Sequence, residues 1–249
     1  LEHTTLEGKT ALITGGVRRI GAAIAHILHD AGMNLALHYR SSVADAERLR
    51  DELNQRRSES VILLQGNLLD TSRLPALVEQ AANRWQRLDL LVNNASSFYP
   101  TPVSTATEAQ WDELMGSNLK APFFLSQAAA THLRAVCGSI INIVDIHAER
   151  PMSKHTLYCA AKAGLVMLTK SLARELGPEI RVNGIAPGAI LWPEAGVSET
   201  LQSYILSRVA LRRLGQPEHI ARTLLFLVRD GGYITGQIIA VDGGRSLSM

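Results

Sequence analysis

Short apolar runs alternate along the chain with longer segments in which apolar residues recur every three or four positions. The run at 10–14 predicts a strand, and Ile20, Ala23, Ile24, Ile27 and Leu28 behind it form the stripe of a core-facing helix. The same alternation predicts strands over 34–38, 60–64, 88–93, 139–144, 180–186 and 237–241. It predicts helices over 44–55, 72–85, 108–133 and 218–229, the long one kinked at Pro122. A further helix carries Leu165, Leu168, Leu172 and Leu176 on one face and ends near Gly177-Pro178. The pattern predicts an α/β fold: a single doubly wound Rossmann domain over 1–249, with a mostly parallel seven-stranded sheet flanked by helices and a tail at 1–5. Ligands of such sheets sit beyond the carboxyl ends of the strands, so chemistry is expected after Thr14, His38, Asn93, Val144 and Ala186.

Composition narrows the function classes. With 46% apolar and 19% charged residues the chain reads as an ordinary globular protein. The net charge is +2 and basic residues cluster at most in pairs such as Arg56-Arg57 and Arg212-Arg213, so no nucleic-acid partner is expected. No apolar run approaches the roughly 18 residues of a membrane span, and no secretion signal is visible. The start at Leu1, without methionine, reads as processed. Cys137 and Cys159 lack metal-type spacing and read as free thiols in a reducing cytoplasm, and the histidines show no ligand pattern, so no metal is expected.

Two turns carry candidate chemistry. Thr14-Gly15-Gly16-Val17-Arg18-Arg19-Ile20-Gly21 joins the first strand to its helix, where glycines permit close backbone approach and the helix start favours a phosphate. A plain strand-to-helix turn would look similar, and the two arginines tilt the reading toward an anion site. The second strand ends in His38-Tyr39-Arg40-Ser41, with no carboxylate between Leu35 and Val43 to hold a ribose 2′-hydroxyl. A guanidinium there suits a 2′-phosphate, so NADPH is the expected cofactor; an Arg40 that simply faces solvent is the alternative. Further along, the strand over 139–144 stops on Asp145, followed by Tyr158 and Lys162 one helical turn apart. Asp145 is either a proton carrier or a cap on the next turn.

Together, the Thr14–Gly21 turn, Asn93-Asn94-Ala95, Asn118, Tyr158-Cys159-Ala160-Ala161-Lys162 and Pro187-Gly188 resemble the short-chain dehydrogenase/reductase family. Asp145 stands where that family commonly has serine, and Arg19, the His38–Ser42 stretch, Asn94-Ala95-Ser96-Ser97-Phe98-Tyr99-Pro100-Thr101-Pro102 and Val241-Asp242-Gly243-Gly244 resemble its pteridine reductase branch. The resemblance implies that Tyr158 is the acid, that Lys162 holds the nicotinamide ribose and lowers the tyrosine pKa, and that Asn118 orders a water chain. Asp145 would relay a proton to a ring nitrogen, its pKa raised by burial under a stacked ring. Phe98 would stack on a pterin, with Arg19, Ser96, Tyr158, Leu191, Trp192 and Pro193 around it. The cofactor would lie along Gly15, Arg18, Arg19, Ile20 and Gly21, then His38, Tyr39, Arg40 and Ser41. Asn67, Leu68, Asn94, Ala95 and Ser96 would follow, and then Tyr158, Lys162, Pro187, Gly188 and Ile190. A homotetramer is implied through the helices bearing Asn118 and Tyr158.

Three departures stand out. Asn67 replaces an acidic residue that often holds the adenine, Ile190 stands where serine is common, and the loop between Pro102 and Trp111 is short beside protozoan members. The expected activity is NADPH-dependent reduction of a dihydropterin or dihydrofolate. The alternatives are a carbonyl or 3-oxoacyl thioester reductase and a regulatory protein that binds the cofactor without turnover.

Overall fold

The computed structural model describes residues 5–192 and 196–248. Seven parallel strands form one sheet in the order β3-β2-β1-β4-β5-β6-β7. They are β1 (Thr10–Ile13), β2 (Asn34–Tyr39), β3 (Val61–Gln65), β4 (Leu90–Asn93), β5 (Ser139–Ile143), β6 (Arg181–Pro187) and β7 (Ile238–Val241). The apolar alternation sorts the core into two layers. Ala11, Ile13, Leu35 and Leu37 face α1 (Arg19–Asp30), α2 (Val43–Arg56) and α8 (Pro217–Arg229). Leu12, Ala36, Leu91 and Ile140 point the other way, toward α3 (Leu74–Trp85), α5 (Ala121–Ala135) and α6 (Thr156–Leu176). Both faces are covered, which is why the strands read as continuous apolar runs rather than strict alternations.

The expected long helix over 108–133 is interrupted. α4 (Glu108–Met115) passes into a π-turn at Gly116–Lys120 before α5 begins. Pro122 lies in the first turn of α5, where its missing N–H does least harm, so the irregularity falls upstream of the proline and centres on Asn118. A nine-residue helix that the periodicity did not predict, α7 (Glu199–Ser207), has no buried residue. Its Leu201 and Ile205 line a cavity instead of packing into the core.

The strand order reverses between β1 and β4, and the crevice at their carboxyl ends is the switch point of the sheet. The first turn after each strand is cross-tied there. Asn94 Nδ2 donates to the carbonyls of Thr14 and Gly15, both at 2.9 Å, and Thr14 Oγ1 accepts from the N–H groups of Asn94 and Ala95 at 3.0 and 3.1 Å.

Candidate active site

Two adjoining cavities of about 500 and 520 Å³ open over the strand ends and share Arg19, Ile20, Asn94 and Ser96. The first is lined by Gly15, Arg18, Arg19, Gly21, His38, Arg40, Asn67, Leu68 and Ala95. At its centre α1 starts without a side-chain cap and without an acidic residue in its first turn, leaving its N–H groups to an anion. Gly15 has a positive φ of 58°, and a Cβ on Gly21 would lie 2.1 Å from the Gly15 carbonyl oxygen. Arg19 itself adopts a positive φ of 52°, a conformation that a long side chain rarely takes and that aims this residue between the two cavities. This groove fits a dinucleotide phosphate.

At the end of β2 the structure keeps His38 and Arg40 in the groove and leaves Tyr39 and Ser41 out of its lining. Tyr39 is buried in the core layer beside α1 and α2, because alternate strand residues point inward, and Ser41 does not line the groove. His38 lines it as a strut. Its Nδ1 accepts from the Gly15 N–H at 3.2 Å and its Nε2 donates to the Gly66 carbonyl at 3.2 Å, so the ring is held in one neutral tautomer. Burial pushes its pKa down to about 4. Arg40 reaches Glu113 at 3.9 Å, and Arg18 lies 3.5 Å from Asp45.

The second cavity brings together residues from across the chain. Asp145 lies just past β5, where one carboxylate oxygen accepts from the His147 N–H at 2.8 Å and caps the short turn Ile146–Ala148. The other accepts from the Tyr158 hydroxyl at 2.7 Å. One side chain thus makes both the cap and the contact with Tyr158. Tyr158 and Lys162 sit on the buried face of α6 with Leu165 and Leu172, one turn apart as their spacing requires. Lys162 is 2% exposed, donates to the Ile143 carbonyl at 2.9 Å, and has its Nζ 5.7 Å from the centre of the Tyr158 ring.

These contacts reverse one expectation. Burial first, and then the charge of Asp145, hold the Tyr158 phenol well above its ordinary pKa, whereas Lys162 was expected to lower it. Lys162 is itself brought down to about 8 by burial, against an opposing pull from Asp145. The phenol of Tyr158 therefore keeps its hydrogen and donates it to Asp145.

Phe98 is 51% exposed inside this cavity. Its ring stacks on His155 at 4.8 Å and 15°, and meets Tyr158 edge-on at 4.8 Å. The loop behind it is anchored through Asn118, which is fully buried: Ser96 Oγ donates to Asn118 Oδ1 at 2.7 Å, and Asn118 Nδ2 donates to the Ser97 carbonyl at 3.0 Å. Asn118 does not line either cavity. Pro187, Gly188, Ile190, Leu191 and Trp192 form the opposite wall, and Arg19 donates to the Trp192 carbonyl at 3.5 Å. Pro193 lies outside the described residues. Sequence reasoning missed Val197, Leu201 and Ile205 on the α7 side and Arg245 beyond β7. The i, i+4 and i+8 spacing of the first three, over a segment starting at Ser198, was the available signal.

Residues 15–246 match the family model described as enoyl-(acyl carrier protein) reductase. The chain is 35% identical to pteridine reductase 1 of Leishmania tarentolae, with 98% of this chain and 99% of that protein aligned. It is 37% identical to the 3-oxoacyl-[acyl-carrier-protein] reductase FabG of Staphylococcus aureus (strain N315), over 95% of this chain and 97% of that one. The Thermotoga maritima FabG is 34% identical over 96% and 98%. No helix among the described residues is long and apolar enough to cross a membrane, and no cluster of metal-ligating side chains occurs among them.

Proposed function

Because the chain belongs to the short-chain dehydrogenase/reductase family, we propose that it is an NADPH-dependent pteridine reductase that converts a dihydropterin or dihydrofolate to the tetrahydro form. The observation that carries this reading is the 2.7 Å bond from the Tyr158 hydroxyl to Asp145, beneath the half-exposed ring of Phe98. A flat apolar ring beside an acid suits a planar heterocycle better than a flexible acyl chain. Held along Gly15, Arg18, Gly21 and Arg40, NADPH would supply a hydride for the ring carbon of the C=N bond. The chain's residues supply the rest. Phe98 and Arg19 orient the heterocycle, and Tyr158 with Asp145 delivers one proton to the ring nitrogen. The loaded phenol is the resting state at neutral pH because burial and Asp145 resist its ionisation. Lys162 compensates negative charge left on the pair after transfer. Asn118 acts through Ser96 and Ser97, fixing the loop that carries Phe98.

Arg40, with no carboxylate at the end of β2, supports the phosphorylated cofactor. The exposed Phe123 on α5 and Met167 on α6 support pairing of copies through those helices, in a cytoplasmic homotetramer whose state sedimentation would read. The identity to 3-oxoacyl reductases supports a second reading, reduction of a 3-oxoacyl thioester.

Turnover of NADPH with dihydrobiopterin and dihydrofolate, set against acetoacetyl thioesters, tests the assignment. Asp145→Asn keeps the shape of the cap and removes the ionisable group, so pterin turnover is expected to fall by about 2 to 4 orders of magnitude. Full activity of this variant with only a lowered Tm would make the carboxylate structural and remove the main support for a pterin substrate.

A further inference from the structure

The carboxyl end of β7 leads into a tight turn that sends one arginine back toward the strand ends. Gly243 and Gly244 both have positive φ, 62° and 79°, and Asp242 accepts from the N–H groups of Gly244 and Ser246 at 2.9 and 2.8 Å. This brace fixes the short helical turn Arg245–Leu247. From it Arg245 enters the second cavity and lines it together with Asp145, Tyr158 and Phe98. Its Nε is shielded from solvent and has no hydrogen-bond partner. No ion pair within 4 Å joins it to Asp145 or Asp242 among the described residues, although both carboxylates and Tyr204 act on its charge.

A half-buried guanidinium with an unsatisfied donor is unfavourable on its own, since each lost hydrogen bond to a charged group weakens the fold. The brace from Asp242 holds the arginine there all the same. Arg245, Asp145 and Tyr158 line one cavity, and a guanidinium recognises an electron-rich oxygen more strongly than any other acceptor.

We infer that Arg245 is a substrate-recognition residue, whose guanidinium binds an electron-rich oxygen of the substrate and so seats the reducible bond against Asp145 and Tyr158. This rests on the reading of the cavity as a reductase site. A ring carbonyl is the favoured source of the oxygen, because Arg245 lines the same cavity as Asp145, Tyr158 and Phe98, where the ring itself would sit. A carboxylate on a substrate tail offers the same chemistry.

The test uses the full chain with Arg245→Met, which keeps the apolar stem, and Arg245→Lys, which keeps the charge without the fork. Dihydrobiopterin carries a ring oxygen and no carboxylate, and dihydrofolate carries both. Arg245→Met is expected to raise KM for both by about tenfold or more, with a smaller change in kcat and unaltered cofactor KM, and Arg245→Lys to restore part of the loss. Quenching of pterin fluorescence gives the Kd without turnover and should weaken in parallel. An effect confined to dihydrofolate moves the oxygen to the tail carboxylate and still supports recognition by Arg245. Unchanged substrate KM and Kd overturn the inference. So does a fall in Tm accompanied by equal losses for substrate and cofactor, which would make Arg245 a structural residue. If the unmodified protein turns over acetoacetyl thioester and no pterin, the pteridine reading fails, while Arg245 is judged by the same criteria on the thioester.

Discussion

Lys162 pits stability against chemistry, and its replacement by methionine measures the conflict. Its ammonium is almost wholly buried, and burial lowers its pKa from 10.5 to about 8. At 1.36 kcal/mol per unit, holding it charged at pH 7 costs about 3 kcal/mol relative to the unfolded chain. Lys162→Met removes that penalty but also the bond to the Ile143 carbonyl, a loss of about 1–3 kcal/mol. The variant is therefore expected to be as stable as the unmodified protein at pH 7, or more stable, with turnover abolished. The pH dependence is sharper. Below pH 8 the lysine is charged in both states. Between pH 8 and 10.5 the folded form is neutral while the unfolded form still holds its proton, so the unmodified protein gains stability as pH rises. Other groups titrate alike in both proteins and cancel in the difference. Urea unfolding of the two, without nucleotide and at equal concentration, should show the unmodified protein gaining about 2 kcal/mol on the variant between pH 7 and pH 9.5. A difference independent of pH would refute the reasoning, because it would mean that burial does not perturb this ammonium.

Other consequences follow from the same geometry. His38 should remain neutral, with the proton on Nε2, down to about pH 4; because its folded pKa lies below the unfolded 6.5, its contribution to stability is complete above that value and lost as pH falls toward 4, by about 3 kcal/mol. Nitrogen-detected NMR of the imidazole checks this, and a midpoint near 6.5 would contradict it. Gly21→Ala drives a methyl group into the Gly15 carbonyl and to 2.8 Å from Asn94 Nδ2, so a lower Tm and weakened nucleotide binding are expected together; unchanged values of both by titration and melting would show that the turn can yield. Arg40→Asp should lower kcat/KM with NADPH by at least about tenfold while leaving NADH use nearly constant; equal efficiency with both cofactors before substitution would remove the case for a 2′-phosphate.

Much of this protein is written locally. Apolar runs of four to six residues separated by amphipathic segments specify the strands, helices and covered sheet, because backbone geometry imposes periods of two and 3.6 on any buried face. Glycines at 15 and 21 mark the phosphate turn, since only a missing Cβ allows that approach. The four-residue step from Tyr158 to Lys162 places them on one face of α6 wherever that helix packs. Tertiary structure decided what these residues do to one another. It turned His38 into a neutral strut, put Tyr39 in the core, centred the break before α5 on Asn118, and raised rather than lowered the phenol of Tyr158. It also carried Arg245 to within the electrostatic reach of Asp145, from a hundred positions further along the chain. The reason is physical: spacing encodes which face a side chain takes, whereas charge, protonation and ligand contacts depend on burial and on neighbours through space, and those exist only once distant segments have folded together.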